Sequence, residues 1–434
     1  MSMPDRPEGR IPFRARGGWG ALGGLIAFQA VVVVLVGFLT PRAALLTWAV
    51  DPIAYRDSGQ SILAGLMPYR DFTFEYPPLA LLPLVLPQLL AGGDGSMESY
   101  RWLFLLQNTL ISCGIAVALA WLALRQWAPG SPSRVLAAYA LLVVAVAPLV
   151  AWRYDILVGL FVVLAVLATV KDRPILAGLA LGLGALAKVY PAFLLPVFLV
   201  RHLARREGLA AVRMLTGFLL PVALVMLPLM VVGGRAALYF VDWQQARGVE
   251  IESVVSGVVL LAHLVFGADA VANHAFNSWQ ISSPLADALA SPLPILMVVS
   301  LALVFAAAFV GFRAEHGAEP ARQGDLLSAC LLAVLLVVIL TNKVLSPQYM
   351  VWLIPLAALR PMREAVLLAL IGGLTLVIFL LNWPQLLALD AGMIVLLNVR
   401  NLLMLILLLW LARRILSVAT RRQDPAATAG NLAE

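Results

Sequence analysis

Long apolar runs separated by short polar segments make up most of this chain. A membrane-spanning helix needs roughly 20 apolar residues, sometimes about 17, and the runs predict about twelve such helices. They lie near residues 18–40, 100–124, 135–151, 156–171, 174–188, 190–201, 210–232, 290–312, 325–341, 348–360, 365–382 and 391–412. Several of them are short for a span. The pattern predicts an all-α polytopic membrane protein with a single transmembrane domain over residues 18–412.

Two connections between the apolar runs are long, residues 41–99 and 233–289. Each contains an apolar stretch, 77–91 or 254–267, that is too short to cross a bilayer easily. We predict that these stretches form helices at the membrane interface, within loops on the extracytoplasmic side. Counting 77–91 as a span would invert the orientation of everything that follows it.

Charge and composition support this topology. The chain is 62% hydrophobic and 12% charged, with a mean hydropathy of +0.95, which excludes a soluble globular protein. If the N-terminus is cytoplasmic, twenty of the thirty basic residues lie on the cytoplasmic side, as the positive-inside rule expects. We therefore predict a multi-pass plasma-membrane protein with both termini cytoplasmic, a disordered basic tail over 1–17 and a C-terminal tail over 413–434. The net charge of +7 needs no nucleic-acid partner to explain it.

Polar clusters interrupt the apolar pattern on one side of this topology. They lie at 51–78, 153–155, 188–191, 247–253 and 341–349. Each cluster alone is explained by a solvated helix end or a snorkelling side chain. Ionisable groups beside hydrocarbon are costly, so their occurrence together predicts a cavity that opens on the extracytoplasmic side.

The chemistry of these clusters is cationic and acidic. His263 and His274 lack the spacing of metal ligands and are interpreted as loop residues. The sequence has no Gly-rich phosphate loop followed by Lys-Ser/Thr. We therefore expect neither a metal nor a nucleotide cofactor. Isolated cations without such a loop suit a phosphate carried on a lipid, because Arg grips phosphate oxygens bidentately and Lys adds a point charge.

These clusters resemble the polyprenol-phosphate-mannose-dependent alpha-(1,2)-mannosyltransferase family of the GT-C glycosyltransferase superfamily. That family carries an aspartate after its first span and a Tyr/Gly/Pro-Tyr/Tyr-Pro-Pro pattern, here Asp51, Tyr55, Gly65, Pro68-Tyr69 and Tyr76-Pro77-Pro78. Its later motifs are similar to Arg153-Tyr154-Asp155, to the Gly-rich span ending in Lys188 to Pro191, to RGVEIES (247–253) and to NKVLSPQYMVWLIP (342–355). The likeness covers most of residues 45–360.

The resemblance implies a GT-C fold, a polyprenyl-phosphate-sugar donor with mannose as the family default, and a glycolipid or glycan acceptor. It also implies that Asp51 is the general base, because the family places its catalytic aspartate after the first span. A sugar on a phosphate already has a leaving group, so one base and a cationic clamp suffice for a single displacement with inversion. Asp155, Glu252 and Glu75 are the rival bases.

The remaining candidates are substrate-binding residues. Gln348 and Tyr349 are candidates for sugar hydroxyls, and Arg400, inside the last predicted span, is placed to face the cavity from below. The cations proposed for the donor phosphate are Arg153, Lys188, Arg247 and Lys343. The full set is Tyr55, Glu75, Tyr76, Arg153, Asp155, Lys188, Arg247, Glu252, Lys343, Gln348, Tyr349 and Arg400.

A transporter or lipid flippase is the alternative function, followed by a purely structural membrane protein. A transporter of this size predicts an internal repeat and polar residues near the middle of the membrane, on both routes of access. The polar residues here lie on one side, and no clear repeat is visible. These observations favour the transferase.

Overall fold

The computed structural model describes residues 16–39, 50–92 and 96–420, with only the backbone described for 16–19, 50 and 51. Most of the predicted N-terminal tail (1–17) and the last part of the predicted C-terminal tail (421–434) therefore lie outside the described residues. So does the side chain of Asp51.

The described chain is almost entirely helical. Its first half forms α1 (Arg16–Leu39), α2 (Val50–Leu63), α3 (Leu81–Leu90), α4 (Met97–Leu124), α5 (Pro132–Ala145), α6 (Ala147–Trp152), α7 (Asp155–Val170), α8 (Pro174–Ala187), α9 (Tyr190–Ala204) and α10 (Gly208–Gly233). Its second half forms α11 (Tyr239–Ala246), α12 (Val254–Phe266), β1 (Val271–Ala275), β2 (Ser278–Ser282), α13 (Pro284–Ala290), α14 (Leu293–Ala314), α15 (Pro320–Leu340), α16 (Tyr349–Ala358), α17 (Met362–Leu376), α18 (Trp383–Leu387) and α19 (Ala391–Thr420).

Seven helical stretches of the described chain are long and apolar enough to cross a membrane. They are Gly20–Leu39, Met97–Leu124, Gly208–Ala246, Pro284–Ala314, Pro320–Leu340, Met362–Leu381 and Ala391–Thr420. The protein is therefore a multi-pass integral membrane protein with seven candidate spans in the described residues. The predicted count of about twelve is not shown.

The other five predicted spans are helices of 10 to 17 residues: Pro132–Ala145, Asp155–Val170, Pro174–Ala187, Tyr190–Ala204 and Tyr349–Ala358. At 1.5 Å per residue, such helices reach roughly 15–26 Å, less than the ~30 Å hydrocarbon core of a bilayer. Two of them end where a lysine follows the apolar run, at Lys171 and Lys188. The two stretches predicted at the interface are helical as well, over Pro78–Leu90 and Val254–Phe266.

Helix α15 lies at the centre of the bundle and is almost wholly buried between α9, α14, α16 and α19. It connects two chemically different ends of the bundle. Asp325 in its first turns is bonded to Arg360 and Arg414. Beyond its last residue, Asn342 and Lys343 line a cavity at the opposite end.

The end opposite the cavity is basic and held by buried ion pairs. Arg360, only 1% exposed, contacts both Asp325 and Glu364. Arg134 donates to the carbonyl oxygen of Arg360 over 2.6 Å. Arg414 pairs with Asp325 at 2.8 Å, and α19 accordingly continues to Thr420, past the predicted helix end at 412.

The antiparallel hairpin of β1 and β2 was not predicted from the sequence. Its two-residue turn is Phe276-Asn277, and both residues have positive φ angles, 52° and 53°. Such turns usually carry Asn-Gly or Asp-Gly, so the sequence lacks the usual hairpin signal. The hairpin packs onto the loop after α11, where the amide of Ile251 donates to the carbonyl of Trp279 over 2.9 Å.

Helices α8 and α10 approach each other closely because glycines line their contact. A Cβ atom at Gly178 would overlap the carbonyl oxygen of Met214, and one at Gly217 would overlap that of Ile175. Small residues are the usual means of close helix packing in membranes. Helix α8 ends at Ala187, directly before the cavity-lining Lys188, so this contact supports one wall of the cavity.

We expect Gly178→Ala to lower the thermal unfolding midpoint of the purified protein, because the added methyl group meets backbone. Overpacking of this kind costs about 1–3 kcal/mol. The matched control is Gly373→Ala in α17, where an added Cβ has no atom within 4 Å and alanine favours the helix. If the Gly178→Ala and Gly373→Ala proteins had the same thermal unfolding midpoint, the close α8–α10 contact would be contradicted.

Candidate active site

A cavity of about 820 Å³ opens at the end of the bundle opposite the basic ion pairs. Its wall brings together all five polar clusters predicted from the sequence. They contribute Glu75 and Tyr76, Arg153, Lys188, Arg247, and the loop from Lys343 to Tyr349. Residues as far apart along the chain as Glu75 and Tyr349 therefore share one space, which is the convergence that the sequence predicted.

The innermost charge contact is a buried ion pair. Lys188 Nζ lies 2.8 Å from Asp155 Oδ1, and the Asp155 carboxylate is fully buried. The indole of Trp352 donates to the same oxygen over 2.6 Å. Since α7 begins at Asp155 and α8 ends before Lys188, the pair joins two helix ends. Burial of an ion pair requires such additional hydrogen bonds to offset desolvation.

Aromatic rings surround this ion pair. Lys188 Nζ lies 4.9 Å from the ring centroid of Tyr154 and 5.2 Å from that of Tyr76, within cation–π range. On the other side, Trp352 stacks on Tyr190 at 4.4 Å and on Tyr349 at 3.9 Å. Lys188 is thus held rigidly, with 13% of its side chain exposed to the cavity.

A second charged wall is formed by the segment after α11 and the loop after α15. Arg247 lies 3.5 Å from a Glu250 oxygen, and Ser346 Oγ donates to the same carboxylate over 2.9 Å. The amide of Glu250 donates to the carbonyl of Lys343, also over 2.9 Å. Burial raises the pKa of Glu250, while the charge of Arg247 acts against the rise.

Lys343 is the most accessible cation of this wall. Its ammonium donates to the carbonyl of Gln245 over 3.0 Å. Burial and the neighbouring charge of Arg247 both lower its pKa. The partial burial leaves Lys343 available to a ligand in the cavity.

Glu75 lies in the segment after α2, and its side chain lines the cavity. Burial raises the pKa of its carboxyl, while a hydrogen bond from Tyr76 and the charges of Arg247 and Lys188 act in the opposite direction. Glu75 therefore lies in the field of both cationic walls.

Four predicted residues lie behind the cavity surface. Tyr55 packs against Tyr76 and Tyr154, with centroids 6.2 and 5.6 Å away. Asp155 lies beneath Lys188. Arg400 is fully buried and reaches the backbone oxygen of Glu252 over 2.7 Å, with the Glu252 carboxylate 3.6 Å away.

Burial raises the pKa of Glu252 to about 8, with the Arg400 charge opposing that rise. Since neither residue lines the cavity, the expectation that Arg400 faces it is wrong. Their contact holds the segment that carries Arg247 and Glu250.

Asp51 lies in the first turn of α2, and the description of that turn includes its backbone alone. Positions 51 and 55 are one helical turn apart, and Tyr55 contacts the cavity-lining Tyr76. The other predicted residues in the cavity wall, Gln348 and Tyr349, lie at the start of α16.

Sequence reasoning missed several wall residues. Glu250 lies two positions from the predicted Glu252, and residues two apart share one face of an extended segment, so local pattern does not separate the two acids. A turn at Ile251 and Glu252 separates them in the structure. His274 was interpreted as a loop residue, yet it lines the cavity from β1, together with Trp279 from β2. Trp352 could have been found from its spacing, because it lies about one helical turn after the predicted Tyr349 and so falls on the same helix face.

No group of three His, Cys, Asp or Glu side chains that could hold a metal ion occurs within the described residues. The groups available for chemistry in this cavity are carboxylates, cations, amides and aromatic rings. Cations suit an anionic group of a ligand, and a carboxylate near them suits proton abstraction.

Comparison with known proteins agrees with this chemistry. The model of Glycosyltransferase family 87 matches residues 72–338, more than half of the chain. The matched region includes Glu75, Arg153, Lys188, Arg247 and Glu250. No curated protein matches the chain. The resemblance found in the sequence is confirmed: the chain belongs to Glycosyltransferase family 87, a GT-C family of polyprenol-phosphate-mannose-dependent mannosyltransferases, and it is a membrane glycosyltransferase.

Proposed function

We propose that this glycosyltransferase moves mannose from a polyprenyl phosphate to a hydroxyl of a glycolipid or glycan acceptor, with inversion at the anomeric carbon. The observation that carries the proposal is the concentration of cations in the wall of one cavity of a family 87 chain. Arg153, Lys188, Arg247 and Lys343 all line it. Cations there suit the negative charge that a phosphate leaving group develops.

The reaction takes place on the extracytoplasmic side of the plasma membrane in this proposal. The cavity lies at the opposite end of the bundle from Arg134, Arg360 and Arg414, which lie at or near the cytoplasmic helix ends in this proposal. An excess of Arg and Lys marks cytoplasmic connections. The same rule places both termini in the cytoplasm.

The donor phosphate binds between Arg247 and Lys343, with Arg153 nearby. These two residues belong to segments joined by the hydrogen bond from the Glu250 amide to the Lys343 carbonyl, so their spacing is preset. Lys188 is engaged by Asp155 and contributes chiefly through its positive potential. Gln348 and the ring of Tyr349 line the same cavity as Arg247 and Lys343, and in this proposal they bind sugar hydroxyls of the donor.

Asp51 is the general base in this proposal. It takes the proton of the acceptor hydroxyl as that oxygen forms a bond to the anomeric carbon. The bond from that carbon to the phosphate oxygen breaks, and its electron pair leaves with the phosphate. Support comes from the position of Asp51 one turn before Tyr55, which contacts the cavity-lining Tyr76. Of the rivals, Asp155 is already ion-paired and Glu252 is behind the wall, so Glu75 remains.

We expect Asp51→Asn to lower kcat at least 100-fold with little change in the donor KM, because base catalysis contributes about 10²–10⁴-fold. The measurement is transfer of radiolabelled mannose from a polyprenyl phosphate to a membrane-extract acceptor by the purified protein. Glu75→Gln is the matched comparison, with an expected loss below about tenfold. The reverse order of the two losses would assign the base to Glu75, and a wild-type protein without transfer would refute the proposed reaction.

A pH profile tests the role of Lys343 in donor binding. Its pKa is lowered by burial and by Arg247, so the cationic form persists below that lowered pKa and is lost as pH rises through it. We therefore expect the donor KM to rise at alkaline pH, earlier than an ordinary lysine would cause.

Lys343→Arg should remove this alkaline rise, because a guanidinium stays charged. Lys171→Arg is the control, because Lys171 follows the end of α7 that is remote from the cavity and lies over the ring of Trp121. The alkaline rise in donor KM should persist in this variant. If the rise survives in Lys343→Arg, another group titrates.

A further inference from the structure

The cavity wall has a second, uncharged region that the proposed transfer does not use. It is formed by the C-terminal end of α11 and by the β-hairpin, which contribute Gln244, His274, Asn277 and Trp279. The cations that line the cavity come from other segments. One space therefore has a cationic region and a neutral polar region.

The polar side chains of this neutral region are available to a ligand. Gln244, His274 and Asn277 are exposed, and within the described residues their side chains make no hydrogen bond. Their neighbour Gln280 differs, because its amide bonds Gly248, Ala275 and Ser278 and builds the hairpin. The Gln280 amide therefore supports the hairpin, whereas the amides of Gln244 and Asn277 face the cavity.

An aromatic ring accompanies these hydrogen-bonding groups. Trp279 is half-buried in the cavity wall, with the His274 ring 5.3 Å away. Amide and imidazole groups both donate and accept hydrogen bonds, and an aromatic face packs on apolar C–H groups. A neutral, hydroxyl-rich ring such as a sugar offers both kinds of contact.

The neutral region is preorganised next to the charged wall. Ile251 donates to the Trp279 carbonyl and Ile281 donates to that of Val249, over 2.9 and 2.8 Å. The turn is held as well, because Phe276 packs edge-on against Trp243 at 5.3 Å. The hairpin is therefore hydrogen-bonded to the segment that carries Arg247 and Glu250.

We infer that the hairpin and the end of α11 form the acceptor subsite, which binds a neutral sugar ring of the acceptor through His274, Asn277, Gln244 and Trp279. This inference rests on the proposed function, since an acceptor exists only if transfer occurs. It adds that the acceptor presents an uncharged sugar to the enzyme at the hairpin, beside the donor phosphate clamp.

The test uses the full chain in lipid nanodiscs, farnesyl-phosphate mannose as donor and hexyl α-mannoside as a neutral acceptor probe. We expect His274→Ala and Asn277→Gly each to raise the acceptor KM about fivefold, and the double variant more than tenfold, since tenfold corresponds to ~1.4 kcal/mol of binding. The donor KM should change less than about twofold. Glycine suits position 277 because it tolerates the positive φ of the turn.

The control is Asn273→Ala, adjacent to His274 on β1 but absent from the cavity wall, and its acceptor KM should equal that of the wild type. An unchanged acceptor KM in the double variant, or an equal rise in the donor KM, would overturn the subsite.

A separate readout distinguishes failure of the subsite from failure of the proposed transfer. Saturation-transfer NMR detects hexyl α-mannoside bound to the protein without any donor. A signal that is lost in the double variant and kept in Asn273→Ala supports the subsite even if no donor is turned over. An equal signal in the wild type, the double variant and Asn273→Ala overturns the subsite, whatever the donor assay shows.

Discussion

The buried ion pair between Asp155 and Lys188 is the contact on which the cavity depends. Helix α7 begins at this contact and helix α8 ends beside it. Both helix ends lie inside the protein, where unpaired charge is costly. The Trp352 indole donates to one Asp155 oxygen, and aromatic rings surround the Lys188 ammonium. The second oxygen, Asp155 Oδ2, is buried and has no hydrogen-bond partner among the described residues. Loss of either partner would leave an uncompensated charge in the floor of the cavity, so the ends of these helices and the start of α16 depend on one another.

The charged wall opposite this floor is built by backbone as much as by side chains. Glu250 is bonded through its amide to the Lys343 carbonyl and through its carboxylate to Ser346. Behind it, Arg400 holds the backbone of Glu252. Arg400 is costly inside a membrane protein, and its contact explains why it is kept there: it secures the loop that presents Arg247.

The two ends of the bundle show how charge is managed in a chain of this hydropathy. At the basic end, Arg360 and Asp325 are paired and buried, so they stabilise helix ends and leave little charge for a ligand. At the cavity end, cations outnumber the acids that face them. A cavity wall with more cations than acids, beside a neutral, aromatic region, suits a glycosyltransferase whose donor carries negative charge.

The sequence by itself determined the membrane class, the helical segments and the five clusters that form the cavity, because hydropathy is a local property and charge beside hydrocarbon demands a reason. It also carried the family resemblance.

The tertiary structure decided which acids face the cavity: Glu252 was predicted to bind substrate and lies behind the wall, whereas Glu250 faces inward. It decided the hairpin as well, since Phe276-Asn277 carries no strong turn signal and its strands are held by contacts with residues 249–251. Whether a short helix stops inside the bundle, and which partner meets each buried charge, depends on segments far apart in the chain, and local pattern does not encode such contacts.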